Sequence, residues 1–229
     1  MSVNENCRQV FGAVKRACDR SGRDPADITV VAVTKYATIE TAREAAAAGL
    51  AHFGENRAEE GVEKAEALPD TIVWHFIGRL QSKKVKKMLD HFTYIHSLDR
   101  LSLAKEIDKR LPEGEKKKCF VQVNVFGEDS KTGTAPEETL PFIRQLADYP
   151  AVEVIGLMTM APLTADEDRL RKGFAALRQL RDQVQDEALM HAPCTELSMG
   201  MSNDYELAIE EGATFIRIGS DLVGSENKT

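Results

Sequence analysis

The sequence predicts an α/β fold, a single (β/α)8 barrel preceded by an extra N-terminal helix. Short runs rich in β-branched residues alternate eight times with helical stretches, and no two runs are joined by a hairpin turn, so the sheet is all-parallel. Eight such units in about 200 residues is barrel arithmetic. An open doubly wound sheet, the rival, would place a G-x-G-x-x-G loop after an early strand, and no such motif is present.

An amphipathic helix is read over about residues 2–21. The first strand runs from Ile28 to Lys35; its ITVVAV is the apolar run expected of a strand buried on both faces. Thr38 is placed to cap a helix through Ala48, with Gly49 at its end. His52–Asn56 reads as the second strand, followed by a helix to Leu68. Ile72–Gly78 is the third, followed by a lysine-rich helix. Tyr94–Leu98 is the fourth, with helix 99–110 after it, and Cys119–Val125 the fifth, with a helix from Pro136 to Ala147. Val152–Met160 is the sixth. Thr164 with Glu167 makes a capping box for a helix over 165–189. Glu196–Met201 is the seventh, Asn203 with Glu206 caps a helix ending at Gly212, and Phe215–Gly219 is the eighth. Without a Pro/Gly/Ser-rich linker, residues 1–229 are expected to form one domain.

Composition narrows the function. Of 229 residues, 42% are hydrophobic and 29% charged, which excludes a mainly disordered chain. The longest uncharged stretch, Val154 to Ala165, is far short of the about 20 residues that span a bilayer. The net charge of −7 disfavours nucleic-acid binding. Cys7, Cys18, Cys119 and Cys194 form no C-x-x-C pair and read as free thiols. With no signal peptide in MSVNENCRQVFG, a cytoplasmic location is expected.

Barrel function sits at the C-terminal ends of the strands. Lys35 closes the first strand, where its stem should lie in a dry mouth; a neutral amine there suits Schiff-base chemistry. The bland alternative is a lysine that snorkels to solvent or pairs with Glu55. The loops after strands seven and eight, Ser198 to Ser202 and Gly219-Ser220, fall where barrels bind phosphate. Gly200 and Gly219 allow close backbone approach, and Ser202 and Ser220 offer hydroxyls. Alternatively these residues only make turns and caps. Arg217, on the last strand, brings a cation to the mouth, or pairs there with a carboxylate. Together a lysine, a phosphate cradle and a cation suit a phosphorylated aldehyde such as pyridoxal 5'-phosphate (PLP).

At this point the chain resembles a known family. AVTK, HFGEN, WHFIGRLQSKK, IHSLDR, VQVN followed by SKTG, GLMTM, LSMGMSND and FIRIGS, in this order over residues ~30 to 224, are similar to the pyridoxal phosphate homeostasis protein family, YggS or PROSC. The resemblance implies a barrel like the N-terminal domain of alanine racemase, with PLP held covalently on Lys35. It implies that Ser198, Met199, Gly200, Ser202, Gly219 and Ser220 bind the phosphate, that Arg217 meets the pyridine nitrogen, and that Asn56 and His75 line the cofactor site. Lys83 stands where the family usually has asparagine.

The function it implies is vitamin B6 homeostasis without firm turnover: PLP is held as a Schiff base and exchanged with amines. An arginine at the pyridine nitrogen disfavours its protonation and weakens the ring as an electron sink. Only a short tail follows strand eight, so no second domain like that of alanine racemase is expected. Expected partners are PLP, free amino acids and PLP-dependent apoenzymes, with no nucleic acid, no membrane and a monomeric chain. The alternative is a PLP-dependent amino-acid racemase or lyase, with Tyr36 or His75 as second acid/base. The cluster Lys83, Lys84, Lys86 and Lys87 reads as a solvated helix face. His52, His91 and His191 have no ligand-like spacing, and Met158, Met160, Met199 and Met201 read as core and pocket wall.

Overall fold

The structure is a computed structural model that describes residues 2–128, 132–163 and 165–224. A closed parallel barrel forms in sequence order: β1 (Thr29–Val33), β2 (His52–Glu55), β3 (Val73–Phe76), β4 (Tyr94–Leu98), β5 (Lys117–Gln122), β6 (Val152–Met158), β7 (Glu196–Met201) and β8 (Phe215–Ile218). β8 returns to β1, pairing Thr29 with Phe215 and Ala32 with Ile218. Closure leaves no strand edge unpaired. Most strands are shorter than the apolar runs that announce them. Lys35, Asn56 and Gly78 lie beyond the last paired residues, in the loops that build the mouth.

Helices α1 (Val3–Ser21), α2 (Ile39–Ala47), α3 (Ala58–Ala67), α4 (Val85–Met88), α5 (Leu101–Asp108), α6 (Pro136–Gln145), α7 (Glu167–Asp186), α8 (Tyr205–Glu210) and α9 (Ser220–Val223) surround the sheet. The expected Thr38 cap is present, its hydroxyl accepting from the Thr41 amide, and Gly49 turns the chain at φ 97°. Two caps differ. Asp166 caps α7, accepting from the Arg169 amide; Thr164 lies outside the described residues. Asp204 rather than Asn203 begins α8, and its carboxylate accepts from the Met201 amide at 2.7 Å. A carboxylate also suits the positive end of a helix. The lysine-rich helix shrinks to the single turn α4, with Val85 and Met88 buried and Lys83, Lys86 and Lys87 exposed. Lys84 pairs with Glu59 on α3.

Two apolar layers result. The larger lies between sheet and helices and holds Trp74, Phe76, Phe92, Phe174 and Cys7 and Cys18 of α1. The smaller fills the barrel itself with Val31, Phe120, Ile155, Met158 and Phe215. All four cysteines are free and buried, and burial pushes the Cys119 and Cys194 thiols up to about 12. Among the described residues no helix is long and apolar enough to cross a membrane.

Candidate functional site

A cavity of about 590 Å³ opens at the C-terminal ends of the strands. Lys35 and Tyr36 after β1, Asn56 after β2, Arg217 on β8, and Ser202, Gly219 and Ser220 in the last two loops all line it. Six of the ten residues expected from sequence to bind the cofactor, with Tyr36, are thus gathered around one space.

Lys35 stands in a turn and is half-buried, not enclosed in a dry mouth. Its Nζ lies 4.9 Å from the centre of the Tyr36 ring, a cation–π contact. It does not pair with Glu55. That carboxylate belongs to Lys64 of α3, whose ammonium donates to Glu55 Oε1 at 2.7 Å and to the Thr34 carbonyl at 2.5 Å. The Thr34 hydroxyl donates to the same oxygen at 2.6 Å. All three groups are buried. The residue that carries Lys35 is therefore fixed from below, while the Lys35 amine keeps no carboxylate partner among the described residues.

Asn56 is fixed by close packing. A Cβ on Gly78 would fall 2.4 Å from the Asn56 carbonyl oxygen, so only glycine lets the loop after β3 lie against the loop after β2. In the loops after β7 and β8, the Ser202 and Ser220 hydroxyls meet at 3.4 Å. Ser220 opens α9, and the first amides of a helix have no intrahelical acceptor.

Arg217 forms the floor. It is 4% exposed, donates from Nη1 to Ser198 Oγ at 2.6 Å and from Nη2 to the Thr159 carbonyl at 2.8 Å. Burial pushes its pKa down to about 10, which leaves it charged at neutral pH. Those two hydrogen bonds go to neutral acceptors, and the Asp204 carboxylate acts on it through its charge.

The remaining selected residues contribute no surface to the cavity. Ser198 is buried and holds Arg217. Met199 is fully buried in the outer apolar layer. Gly200 sits at φ 95°, with Ala208 of α8 too close to leave space for a side chain. His75 lies inside the barrel, stacked on Tyr94 at 4.5 Å and hydrogen-bonded through both ring nitrogens, to His52 and His96 at 2.9 Å each. Burial, then His52, holds it well below the usual histidine range. Of the methionines, Met160 and Met201 line the cavity and Met158 fills the barrel. Ser130 and Lys131 lie outside the described residues; Thr132 beside them lines the cavity and receives the Gln122 side chain at 2.9 Å.

Sequence reasoning did not select Thr34, Lys64 or His96, and gave His52 no role. The Lys64 signal is a lysine on the apolar stripe of α3, in line with Ala58 and Gly61. The signal for the histidines is that three successive strands each carry one.

Residues 17–227 match the family model described as alanine racemase, N-terminal domain. The chain is 42% identical over 226 residues to the pyridoxal phosphate homeostasis protein of Aquifex aeolicus, covering 98% of each. It is 39% identical to that of Pseudomonas aeruginosa, covering 99% of this chain and 96% of the relative. Among solved structures, PipY of Synechococcus elongatus with PLP bound aligns at a TM-score of 0.79 and 36% identity, over 93% of this chain and 100% of PipY. Alanine racemase of Corynebacterium glutamicum aligns at 0.72 over 96% of this chain and 59% of the racemase; at 15% identity that shows the fold alone. At these identities, sustained over nearly the whole length of both sequences, the chain belongs to the pyridoxal phosphate homeostasis protein family, built on the alanine racemase N-terminal barrel.

Proposed function

We propose that this chain binds PLP through Lys35 and serves vitamin B6 homeostasis by holding the cofactor and releasing it to amines, without robust catalysis. The observation that carries the reading is one cavity that joins an unpaired primary amine, a pair of serine hydroxyls and a buried guanidinium. The donor set fits the group. Lys35 would hold its aldehyde, Ser202, Ser220 and the backbone at Gly219 would hold its phosphate, and Arg217 would meet its ring nitrogen. Asn56 lines the same cavity and completes the site. When bound, PLP supplies an aldehyde that condenses reversibly with primary amines.

The chain's own residues support a carrier over a racemase or lyase. Arg217 is a donor and a cation, so beside a ring nitrogen it would disfavour protonation there and limit the ring as an electron sink. His75 is unsuited to a second acid/base role, because both its ring nitrogens are engaged inside the barrel. Tyr36 lines the cavity but is 60% exposed. The open mouth lets a free amino acid or an apoenzyme lysine reach the site. A cytoplasmic, monomeric protein that uses neither nucleic acid nor membrane completes the proposal.

The test is visible absorbance of the protein loaded with PLP, before and after borohydride, beside Lys35→Ala, with peptide mass analysis. A reduced adduct on Lys35, absent from the variant, supports covalent holding; no adduct on any lysine overturns it. Chiral analysis after incubation with single L-amino acids then separates the roles. Transfer of PLP without new products supports the carrier, and steady accumulation of D-amino acid supports the racemase.

A further inference from the structure

Beneath the cavity, a line of hydrogen bonds crosses the barrel. Arg217 donates to Ser198 Oγ at 2.6 Å; Ser198 Oγ meets His96 Nδ1 at 2.8 Å; His96 Nε2 meets His75 Nδ1 at 2.9 Å; His75 Nε2 meets His52 Nδ1 at 2.9 Å. Arg217, Ser198, His96 and His75 are all buried. His52, the first residue of β2, is half-buried at the opposite end of the barrel from the mouth. Its Nε2 is not among the polar atoms sealed from solvent without a partner.

Donor and acceptor chemistry fixes the direction of every bond. A guanidinium only donates, so Ser198 Oγ accepts from it; its other hydrogen-bond partner among the described residues is His96 Nδ1, and the buried hydroxyl satisfies its single proton by donating there. His96 is then neutral with its proton on Nε2, which it donates to His75 Nδ1. The same constraint passes to His75 and ends at His52, which accepts on Nδ1 and keeps its proton on Nε2. Each member presents its negative end towards Arg217. Aligned hydrogen bonds polarise one another, and in a dry interior this alignment stabilises a buried cation, beside the favourable charge of Asp204. Rings of Tyr94 and Phe120, stacked on His75 and His96, keep the planes from turning.

We propose that Ser198, His96, His75 and His52 are positioning residues for Arg217, a one-way hydrogen-bond chain that holds its guanidinium, charged and oriented, at the cavity floor. Its effect on ligand binding rests on the PLP reading above; its existence does not. Burial agrees with it, since it disfavours the charged form of all three histidines.

The first test needs no ligand. In histidine-labelled protein, 15N NMR is expected to report the Nε2–H tautomer for His52, His75 and His96. An Nδ1–H tautomer at His75 or His96 overturns the chain. The second test compares PLP affinity in two variants. His52→Leu leaves the His75 Nε2–H without an acceptor and is expected to weaken binding several-fold. His52→Asn places a carbonyl oxygen near the Nδ1 position and is expected to restore wild-type affinity. Equal affinity in both variants overturns the positioning role. Failure of the wild type to take up PLP would instead sink the ligand reading, and the tautomers would still decide whether the chain exists.

Discussion

Lys64 and Glu55 form a buried ion pair directly beneath Thr34, and through it they fix the residue that carries Lys35. Neither side chain reaches the cavity. Glu55 Oε2 has no partner, so the carboxylate is held entirely through its other oxygen. Removing one member of such a pair leaves an uncompensated charge in the interior, which costs about 3–5 kcal/mol. Lys64→Met is therefore expected to lower unfolding stability by that amount in urea titrations. Lys64→Met with Glu55→Leu should recover most of it. A Lys64→Met protein as stable as wild type would show that the pair is not maintained.

Among the described residues, Arg217 is the only buried arginine that lines the cavity, and its bonds to Ser198 and Thr159 orient it. A hydrogen bond to a charged group contributes about 1.5–3 kcal/mol. Arg217→Met is expected to weaken PLP binding by about tenfold or more, while the reducible adduct at Lys35 still forms at saturating cofactor. Equilibrium dialysis beside borohydride trapping measures the two effects separately.

Ser202 and Ser220 distinguish a phosphate cradle from a pair of helix-flanking turns. A carboxylate at either position would face the phosphate. Two like charges about 4 Å apart at a protein surface repel by about 4 kcal/mol at an effective permittivity of 20. Ser202→Asp should cut affinity for PLP by more than tenfold, by that reasoning roughly, and leave pyridoxal, which lacks the phosphate, nearly unaffected. Equal losses for both ligands would place the phosphate elsewhere.

His52, His75 and His96 are each held below the usual histidine range, first by burial. Their folded pKa values lie under the unfolded value of about 6.5, so the unfolded chain takes up protons that the folded chain refuses. Stability from these groups is complete above about pH 6.5 and falls as the pH drops below it, by up to about 1.4 kcal/mol per unit for each histidine. Urea midpoints should decline between about pH 6.5 and 5, above the range where most carboxylates titrate. His52→Asn should flatten that slope, and a slope unchanged from wild type would exclude His52 as a contributor.

How far the sequence could be read depended on the kind of signal. The alternation of β-rich and helical runs is local and survives in any barrel, so the strand order was legible throughout. Strand ends were less so, because VTK and FGEN continue the β pattern past the last ladder bond. Lys35, Arg217 and the serines were legible because barrel geometry sends strand ends to one mouth. The relation among Thr34, Glu55 and Lys64 was not. It depends on which face of α3 meets β2, and a lysine on an apolar stripe reads like any snorkelling side chain. The histidine line was hidden for a similar reason. Its members are separated by whole β/α units, and only the register of the closed sheet brings His52, His75 and His96 into succession.

The pairing of β8 with β1 is the seam of the barrel, and Lys35 stands on one side of it with Gly219 and Ser220 on the other. Along the chain the Lys35 amine therefore comes well before the proposed anion cradle. Until β8 docks, the cavity lacks Arg217, Gly219 and Ser220. A ligand that bridges the seam stabilises the closed form in proportion to its concentration over its dissociation constant. With PLP as that ligand, as proposed, cofactor supply and completion of folding would be coupled in the same molecule, and a shortage of one would show as an opening of the other.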